Sequence, residues 1–306
     1  MSFSIIFPGQ GSQAIGMMSK LAEQHSLVKD LFIEASDVLG VDLWTMTQEG
    51  PLESLSQTEN TQPALLTAGV AAWKVWQSLG GKNPNMMAGH SLGEYTALVS
   101  AGALSFPDAV ALVRDRGRYM QEAVPAGEGA MAAIIGLDDQ AVIDVCKSTA
   151  DNDVLQAVNF NAPGQVVIAG SAAAIERATT TMKEAGAKRA LPLPVSIPAH
   201  SSLMTPASKR LAERIASIEI TMPSIPVLHN CNVEVATSAE QVAANLITQL
   251  DSPVRWVESI THIHSQGIDR FIESGPGKVL GGMVKRIVKG VEVGCIDSPE
   301  ALENLL

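Results

Sequence analysis

The chain has 306 residues, of which 46% are hydrophobic and 17% charged. This composition and length predict a globular protein with a sizeable core. The length allows one large domain, or a large domain with a smaller companion. Its formal net charge of −11 disfavours nucleic acid and anionic membranes as partners. No apolar run approaches the roughly 20 residues of a membrane span, and the first residues lack the basic start of a signal peptide. We therefore expect a soluble, cytoplasmic protein.

The first part of the chain predicts a strand, a loop and two helices. Residues 2–7 form the predicted buried strand, and the glycine-rich loop after it either presents backbone amides to a ligand or simply connects two elements. This loop lacks the Gly-Lys-Ser/Thr end of a phosphate-binding P-loop. Helical periodicity covers residues 27–39 and 61–79, and Thr61 is the predicted N-cap of the second helix.

A short apolar run leads into Gly89-His90-Ser91-Leu92-Gly93, and an apolar-periodic helix follows. The Gly-x-Ser-x-Gly spacing is typical of a nucleophile elbow, where glycines let the backbone pass close together and the serine hydroxyl is exposed. The helix would place unpaired amides and its positive dipole end beneath any negative charge forming at Ser91. An ordinary strand-to-helix turn explains the pentapeptide alone equally well, but the flanking elements favour the elbow.

The next predicted helix, residues 106–123, carries three arginines at alternate positions, Arg114, Arg116 and Arg118. Alternate residues point to different faces of a helix, so at most one or two of them face inward. A solvated position is the default for each.

The segment 127–196 has a pattern of predicted strands and helices that differs from that of the flanking chain. Strands are predicted over 130–135, 154–160, 165–169 and 188–193, and helices over 138–148 and 171–185. This βαββαβ order is that of the ferredoxin-like split βαβ unit. Its glycine-rich and proline-rich ends are places where an inserted domain joins its host. The sequence therefore predicts a small domain, 127–196, inserted into a discontinuous large domain, 1–126 and 197–306.

A nucleophilic serine needs a base, and the chain has six histidines: His25, His90, His200, His229, His262 and His264. His90 is adjacent to Ser91 on a tight turn, so its ring is expected to support the turn. Three others lie in polar or amphipathic helical contexts typical of surface residues, and His229 allows either interpretation. His200 ends a run punctuated by three prolines, which would hold its side chain in place. Spacing alone leaves His200 as a candidate base and no more.

After His200 the chain returns to alternating helices and strands. Helices are predicted over about 202–217, 239–250 and 253–266, strands over 226–229, 270–273 and 291–295, and a helix capped by residues 274–278 runs through Lys285 and Arg286. Such alternation predicts a mostly parallel sheet covered on both faces, with its site at the carboxyl ends of the strands. The three cysteines, Cys146, Cys231 and Cys295, lack metal-ligand spacing, so neither a zinc site nor a disulfide framework is expected.

Taken together, these motifs resemble the malonyl-CoA:acyl-carrier-protein transacylases, the acyltransferases of bacterial type II fatty-acid synthesis. The resemblance runs along the whole chain in ordered blocks: Phe7-Pro8-Gly9-Gln10-Gly11-Ser12-Gln13, Thr61-Gln62-Pro63-Ala64, Gly89-His90-Ser91-Leu92-Gly93-Glu94-Tyr95, Arg116-Gly117, Asn159-x-Asn161-x-Pro163-Gly164-Gln165, His200, Gln249-Leu250-x-x-Pro253-Val254-x-Trp256 and Glu273-x-Gly275-Pro276-Gly277-Lys278-Val279-Leu280. It implies an α/β hydrolase-like core with a ferredoxin-like insertion.

The resemblance also implies roles for individual residues. Ser91 would be the nucleophile and His200 its base, forming a dyad in which a backbone carbonyl near Gln249 orients the histidine. The backbone amides of Gln10 and Leu92 would form the oxyanion hole. The carboxylate of malonate would be held by Arg116, whose two parallel donors match it, and Gln249 is assigned to the substrate site beside Arg116.

The implied reaction moves a malonyl group from malonyl-CoA to Ser91 and then to the phosphopantetheine thiol of acyl carrier protein. Neither a bound cofactor nor a metal is implied, and we expect a monomer. Leu92 after the serine is the form associated with malonyl substrates. The basic pairs Lys188-Arg189 and Lys285-Arg286 are candidates for contact with the coenzyme A phosphates or the acidic carrier protein, although a solvated face explains them as well.

Two other functions share parts of this pattern. An esterase or lipase would use the same elbow, but it expects an acidic residue between the serine and the histidine and has no need of Arg116. A non-catalytic binding module of the same fold would form no acyl adduct on Ser91.

Overall fold

The computed structural model describes residues 2–195 and 197–306, and its helices surround two β-sheets. The strands are β1 (Ser4–Phe7), β2 (Met86–Gly89), β3 (Gly129–Ile135), β4 (Leu155–Ala162), β5 (Gln165–Ser171), β6 (Arg189–Pro192), β7 (Val227–Leu228), β8 (Arg270–Ser274) and β9 (Glu292–Ile296). The helices are α1 (Ser19–Gln24), α2 (Ser26–Leu39), α3 (Leu43–Glu49), α4 (Leu52–Leu55), α5 (Thr58–Ser78), α6 (Leu92–Ser100), α7 (Phe106–Glu122), α8 (Asp139–Thr149), α9 (Ala172–Glu184), α10 (Thr205–Ile215), α11 (Ala239–Gln249), α12 (Trp256–Ser265), α13 (Val279–Ile287) and α14 (Pro299–Glu303). The expected α/β class is confirmed.

The larger sheet has five strands in the order β7-β2-β1-β8-β9, and each neighbouring pair is parallel. All four residues of the central strand β1 are buried, as expected when helices cover both faces of a parallel sheet. Ile5 and Phe7 pack into one core with α2, α5, α6 and α7, whereas Ile6 points to the opposite face and packs in the core around Trp256. Phe7 pairs with Gly89, so β1 and β2 end at the same edge of the sheet.

The smaller sheet has four antiparallel strands in the order β4-β5-β3-β6. Helices α8 and α9 cover one of its faces, where Val142 and Ile175 pack into a core of their own. The other face carries a small apolar cluster that includes Met131 and Val167. The elements of this unit follow each other in the predicted order β3-α8-β4-β5-α9-β6.

Backbone hydrogen bonds attach the smaller sheet to the rest of the molecule. The amide of Phe160 donates to the carbonyl of Val254 at 3.0 Å, and the amide of Val254 donates to the carbonyl of Val158 at 2.8 Å. Arg286 of α13 also donates to the carbonyl of Pro163, in the turn between β4 and β5, at 3.0 Å. These contacts hold the smaller sheet in place beside the larger one.

Helix α5 begins earlier than the sequence predicts. It starts at Thr58, and Thr61 lies inside it, where the Thr61 hydroxyl donates to the carbonyl of Leu55 at 2.5 Å and to that of Gln57 at 3.1 Å. The prediction of Thr61 as N-cap is wrong, because a threonine hydroxyl can bond to a preceding carbonyl within a helix as readily as it caps one.

Some short elements and one boundary also differ from the sequence predictions or fall outside them. Helices α1, α3, α4 and α14 were not predicted, and they have only six, seven, four and five residues, too few for a clear period. The boundary predicted at residue 196 lies outside the described residues. Among the residues that the structure describes, no helix combines the length and apolar character that crossing a membrane requires.

Gly89 and Gly93 approach each other too closely for a side chain. A Cβ added at Gly89 would lie 1.9 Å from the carbonyl carbon and oxygen of Gly93, and one added at Gly93 would lie 2.0 Å from the carbonyl oxygen of Phe7. Both obstacles are backbone atoms of packed elements, which cannot move without disturbing the sheet.

We therefore expect Gly89→Ala to lower the free energy of unfolding by roughly 1–3 kcal/mol, measured by denaturant titration. Gly282→Ala in α13 is the matched control, because a methyl group there meets nothing within 4 Å, and it should be neutral or stabilise the helix by up to about 1 kcal/mol. A Gly89→Ala protein as stable as the wild type would contradict the close approach of β2 and α6.

Candidate active site

Ser91 lies in the turn between β2 and α6, in a conformation that residues other than glycine rarely adopt. Its φ is 51° and its ψ is −105°. The side chain of Asn230, just past the end of β7, holds both sides of the turn: its Oδ1 accepts from the Ser91 amide at 2.7 Å, and its Nδ2 donates to the Gly89 carbonyl at 2.7 Å. The turn is therefore fixed by a side chain from a neighbouring strand as well as by its own glycines.

His200 lies directly against the serine hydroxyl. Its Nε2 is 2.8 Å from Ser91 Oγ, and its Nδ1 is 2.9 Å from the carbonyl oxygen of Gln249. A carbonyl only accepts hydrogen bonds, so Nδ1 carries the proton and Nε2 accepts from the serine. Burial, and to a lesser extent the charge of Arg116, lower the pKa of His200 to about 3. The imidazole is therefore neutral at neutral pH and can accept a proton from Ser91.

Arg116 is the arginine of α7 that faces inward, and only 1% of it is exposed. Its guanidinium donates to Gln62 Oε1 at 2.8 Å, to Gln249 Oε1 at 3.0 Å and to Ser91 Oγ at 3.1 Å, and it lies 5.2 Å from the centre of the Tyr95 ring. All three acceptors are neutral, and no ion pair joins Arg116 to a carboxylate of the described residues. Its Nε also lacks a partner within the described chain. The arrangement leaves a buried cation able to bind an anionic group.

A cavity of about 490 Å³ opens over these three side chains. Ser91, His200 and Arg116 line its polar part, whereas Met131 and Val167, from the face of the smaller sheet opposite its helices, line an apolar wall. This size and this mixture of surfaces suit a small organic ligand with one charged end. The smaller sheet therefore forms one side of the site.

Gln10 and Leu92 line the same cavity. Leu92 is the first residue of α6, and the loop that carries Gln10 packs so tightly on the elbow that a Cβ at Gly9 would lie 2.4 Å from the carbonyl oxygen of His90. Within the described chain, neither the Gln10 nor the Leu92 amide donates a hydrogen bond. Two unpaired amides beside a serine hydroxyl have the chemistry of an oxyanion hole.

Within the described chain, none of the other histidines or basic residues considered in the sequence hydrogen-bonds to Ser91 Oγ. His90 also lines the cavity, but its Nε2 donates to Asn161 Oδ1 at 2.8 Å and its ring packs edge-on against Trp256, and burial lowers its pKa. His229 is buried against Glu94. The four basic residues are exposed and do not line the cavity; they are Lys188, Arg189, Lys285 and Arg286.

No role in the site was predicted from the sequence for three buried residues that lie in it or behind it: Gln62, Glu94 and Asn230. Asn230 had a usable signal, because it follows a predicted strand and the carboxyl ends of parallel strands meet at one edge. Glu94 had none, since an acidic residue in the first turn of a helix is normally a solvated one that favours the helix dipole. Among the described residues, no group of three or more His, Cys, Asp or Glu side chains could hold a metal ion.

Known proteins resemble this chain over nearly its full length. The family model described as acyl transferase domain matches residues 4–295. The malonyl CoA-acyl carrier protein transacylase of Salmonella typhimurium is 52% identical over 304 residues, covering 99% of this chain and 98% of that protein. An acyl carrier protein S-malonyltransferase from Vibrio cholerae has a crystal structure with 54% identity and a TM-score of 0.98, and the match covers 100% of both chains. A malonyl-transacylase solved in complex with its type II PKS acyl-carrier protein is 51% identical, with a TM-score of 0.99 over 100% of this chain and 99% of that one.

The low pKa of His200 makes stability depend on pH in a defined window. The unfolded chain protonates this imidazole near pH 6.5, whereas the folded chain does so only near pH 3, so the stability that the neutral imidazole contributes is lost as the pH falls below about 6.5. We expect the free energy of unfolding to fall between about pH 7.5 and about pH 5, and this fall should be about 2 kcal/mol larger for the wild-type protein than for His200→Gln. Denaturant titrations at the two pH values measure this, and equal losses would contradict a buried neutral His200.

Proposed function

The chain belongs to the malonyl CoA-acyl carrier protein transacylase family, and from this we propose that it transfers a malonyl group from malonyl-CoA to acyl carrier protein through a malonyl-serine intermediate. It is an acyltransferase whose partners are malonyl-CoA and the carrier protein, and the coenzyme A thioester and the phosphopantetheine thiol are its substrates. The single observation that carries the mechanism is the convergence of His200 Nε2 and an Arg116 guanidinium nitrogen on Ser91 Oγ, at 2.8 and 3.1 Å.

In the first half-reaction, His200 Nε2 takes the proton of the Ser91 hydroxyl as Oγ attacks the thioester carbonyl of malonyl-CoA. The negative charge that develops on the carbonyl oxygen is stabilised by the amides of Gln10 and Leu92, and donors of this kind each contribute about 3 kcal/mol. The tetrahedral intermediate then collapses, the carbon–sulfur bond breaks, and the proton on His200 passes to the departing thiolate of coenzyme A. Ser91 is left as a malonyl ester.

The second half-reaction reverses these roles. The phosphopantetheine thiol of the carrier protein gives its proton to His200 and attacks the malonyl ester, and Ser91 leaves and recovers the proton. The carrier thiol must attack the malonyl ester faster than water does. The apolar wall formed by Met131 and Val167 supports such a preference for the thiol over water, because it offers a water molecule few hydrogen-bond partners that would position it for attack.

Arg116 supports malonyl as the acyl group. A malonyl thioester ends in a carboxylate, and a guanidinium offers two parallel donors to it. Since the present acceptors of Arg116 within the described chain are all neutral, the substrate carboxylate would be its only anionic partner, and burial strengthens the attraction between the two charges.

The esterase interpretation has less support. His200 Nδ1 contacts the backbone carbonyl of Gln249, where a lipase or esterase expects a carboxylate. A non-catalytic module has no need of a serine hydroxyl 2.8 Å from a neutral histidine. The arrangement fits a Ser91–His200 dyad in which Gln249 orients the base.

We also propose two details of the architecture. The strand order β4-β5-β3-β6 with two helices on one face supports a ferredoxin-like small domain over 127–196, and the five parallel strands support a hydrolase-like large domain over 1–126 and 197–306. The exposed pairs Lys188-Arg189 and Lys285-Arg286 stay candidates for the coenzyme A phosphates or the carrier protein. A monomeric state and a cytoplasmic location stay predictions.

The dyad predicts distinct effects for two substitutions in an assay of malonyl transfer to holo acyl carrier protein. Ser91→Ala should abolish transfer, because no other hydroxyl takes its place, and His200→Ala should slow it by roughly 10²–10⁴-fold. His90→Ala serves as the control for the neighbouring histidine, since His90 contacts Asn161. A loss in His90→Ala as large as that in His200→Ala would contradict the assignment of the base.

Arg116 predicts a selectivity. With acetyl-CoA the buried guanidinium lacks its carboxylate, and sites built around a polar partner reject analogues without one. We expect Arg116→Ala to lower kcat/KM for malonyl-CoA by roughly several hundred-fold while that for acetyl-CoA stays level or rises. Arg114→Ala is the matched control on the same helix, because Arg114 donates to the Leu39 carbonyl, and it should leave both values unchanged. Parallel losses for the two thioesters would make Arg116 structural.

A further inference from the structure

Glu94 is a fully buried carboxylate that neither lines the cavity nor takes part in the mechanism above. It lies in the first turn of α6, three residues after Ser91, and three donors converge on it. Oε1 accepts from His229 Nδ1 at 2.7 Å, and Oε2 accepts from the Asn230 amide and from Gln249 Nε2, each at 2.9 Å. The two contacts of Oε2 have a fixed direction, since a backbone N–H and an amide NH₂ group only donate.

We propose that Glu94 is a positioning residue for acyl-group selection: through the side chain of Gln249, it holds Arg116 beside Ser91 while leaving the guanidinium free to bind the substrate carboxylate. This proposal rests on the proposed function. To that function the proposal adds a residue that never touches the substrate but determines which acyl group the site prefers.

The first step of the coupling is the orientation of the Gln249 amide. Its Nε2 donates to Glu94 Oε2 and to the Ser91 carbonyl, both at 2.9 Å, and its Oε1 accepts from Arg116 at 3.0 Å. The reverse orientation would put an oxygen against a carboxylate and an NH₂ group against a guanidinium. Glu94 thus determines that the carbonyl end of Gln249 faces Arg116.

The second step is charge. A buried guanidinium without compensation is costly, and a carboxylate in direct contact with Arg116 would compete with the malonyl carboxylate. The Gln249 amide lies between Glu94 and Arg116, so the carboxylate stays near the buried cation without occupying the guanidinium donors. Gln249 therefore separates two opposite charges that would otherwise pair.

A third contact links the same carboxylate to the nucleophile. Glu94 holds the backbone amide of Asn230, and the side chain of Asn230 holds the Ser91 amide and the Gly89 carbonyl. Loss of Glu94 should therefore slow transfer of every acyl group as well as change the preference among them. A change in preference is the part that a purely structural role would not produce.

The test measures kcat/KM for malonyl-CoA and acetyl-CoA, with melting temperature, for Glu94→Ala and Glu94→Gln. Glu94→Gln can keep every contact, since its oxygen can accept from Asn230 and Gln249 while its amide donates to His229 Nδ1, whose proton then moves to Nε2. We expect the malonyl-to-acetyl ratio to fall about tenfold in Glu94→Ala and to stay within about threefold of wild type in Glu94→Gln. Glu273→Ala is the matched control: Glu273 is also fully buried and accepts two backbone amides, from Leu280 and Gly281, but lies outside the cavity. It should lose stability and keep the wild-type ratio.

Three results would overturn the proposal: an unchanged ratio in folded Glu94→Ala, an equal fall of the ratio in Glu94→Gln, which would assign the preference to the charge of Glu94 instead of the orientation that it gives Gln249, or an equal fall in Glu273→Ala. If Glu94→Ala does not fold, Gln249→Met removes the side-chain link and keeps the backbone carbonyl that His200 uses. It should lower the ratio to the same extent, and an unchanged ratio would again overturn the proposal. Failure of the wild-type protein to transfer malonyl would instead reject the proposed function.

Discussion

The backbone of Ser91 is the constraint on which the site depends. A serine with a φ of 51° carries a conformational cost of order 1–3 kcal/mol, so the surroundings must hold it in place. Two glycines allow β2 and α6 to meet at van der Waals limits, and Asn230 bonds to both sides of the turn. Because the turn is held in this way, the hydroxyl, the first amide of α6 and the imidazole of His200 keep one fixed arrangement.

Around this turn, burial affects each of three ionisable groups, His200, Arg116 and Glu94, in a different way. Burial and the charge of Arg116 keep His200 neutral and therefore able to accept a proton from a serine hydroxyl. Arg116 stays charged, since guanidinium holds its proton in proteins, and it is surrounded by neutral acceptors and a Tyr95 ring. In the proposed account, Glu94 lies one amide group away from that charge. The same buried surroundings would then provide the base, the anion site and the residue that positions it.

The sequence was most informative where the signal is local. The strand, the Gly-x-Ser-x-Gly turn and the helix around Ser91 are contiguous, so their periodicity predicted them, and the family resemblance identified His200 and Arg116. The residues alone could not predict contacts between distant elements: Ser91 meets His200 across 109 residues, a pairing that only the resemblance implied, and it meets Asn230 across 139. The side chain of Glu94 was missed for this reason, because its burial arises only when β7 and α11 pack against α6. Thr61 was misassigned because its hydroxyl serves equally well inside a helix.

The most direct measurement is the intact mass of the protein after mixing with malonyl-CoA, followed by addition of holo acyl carrier protein and by peptide mapping. A serine nucleophile predicts a gain of one malonyl group, located on the peptide that contains Ser91, and its removal when the carrier thiol is added. Transfer to the carrier protein without any malonyl adduct, or with the adduct on another residue, would contradict a reaction that passes through Ser91.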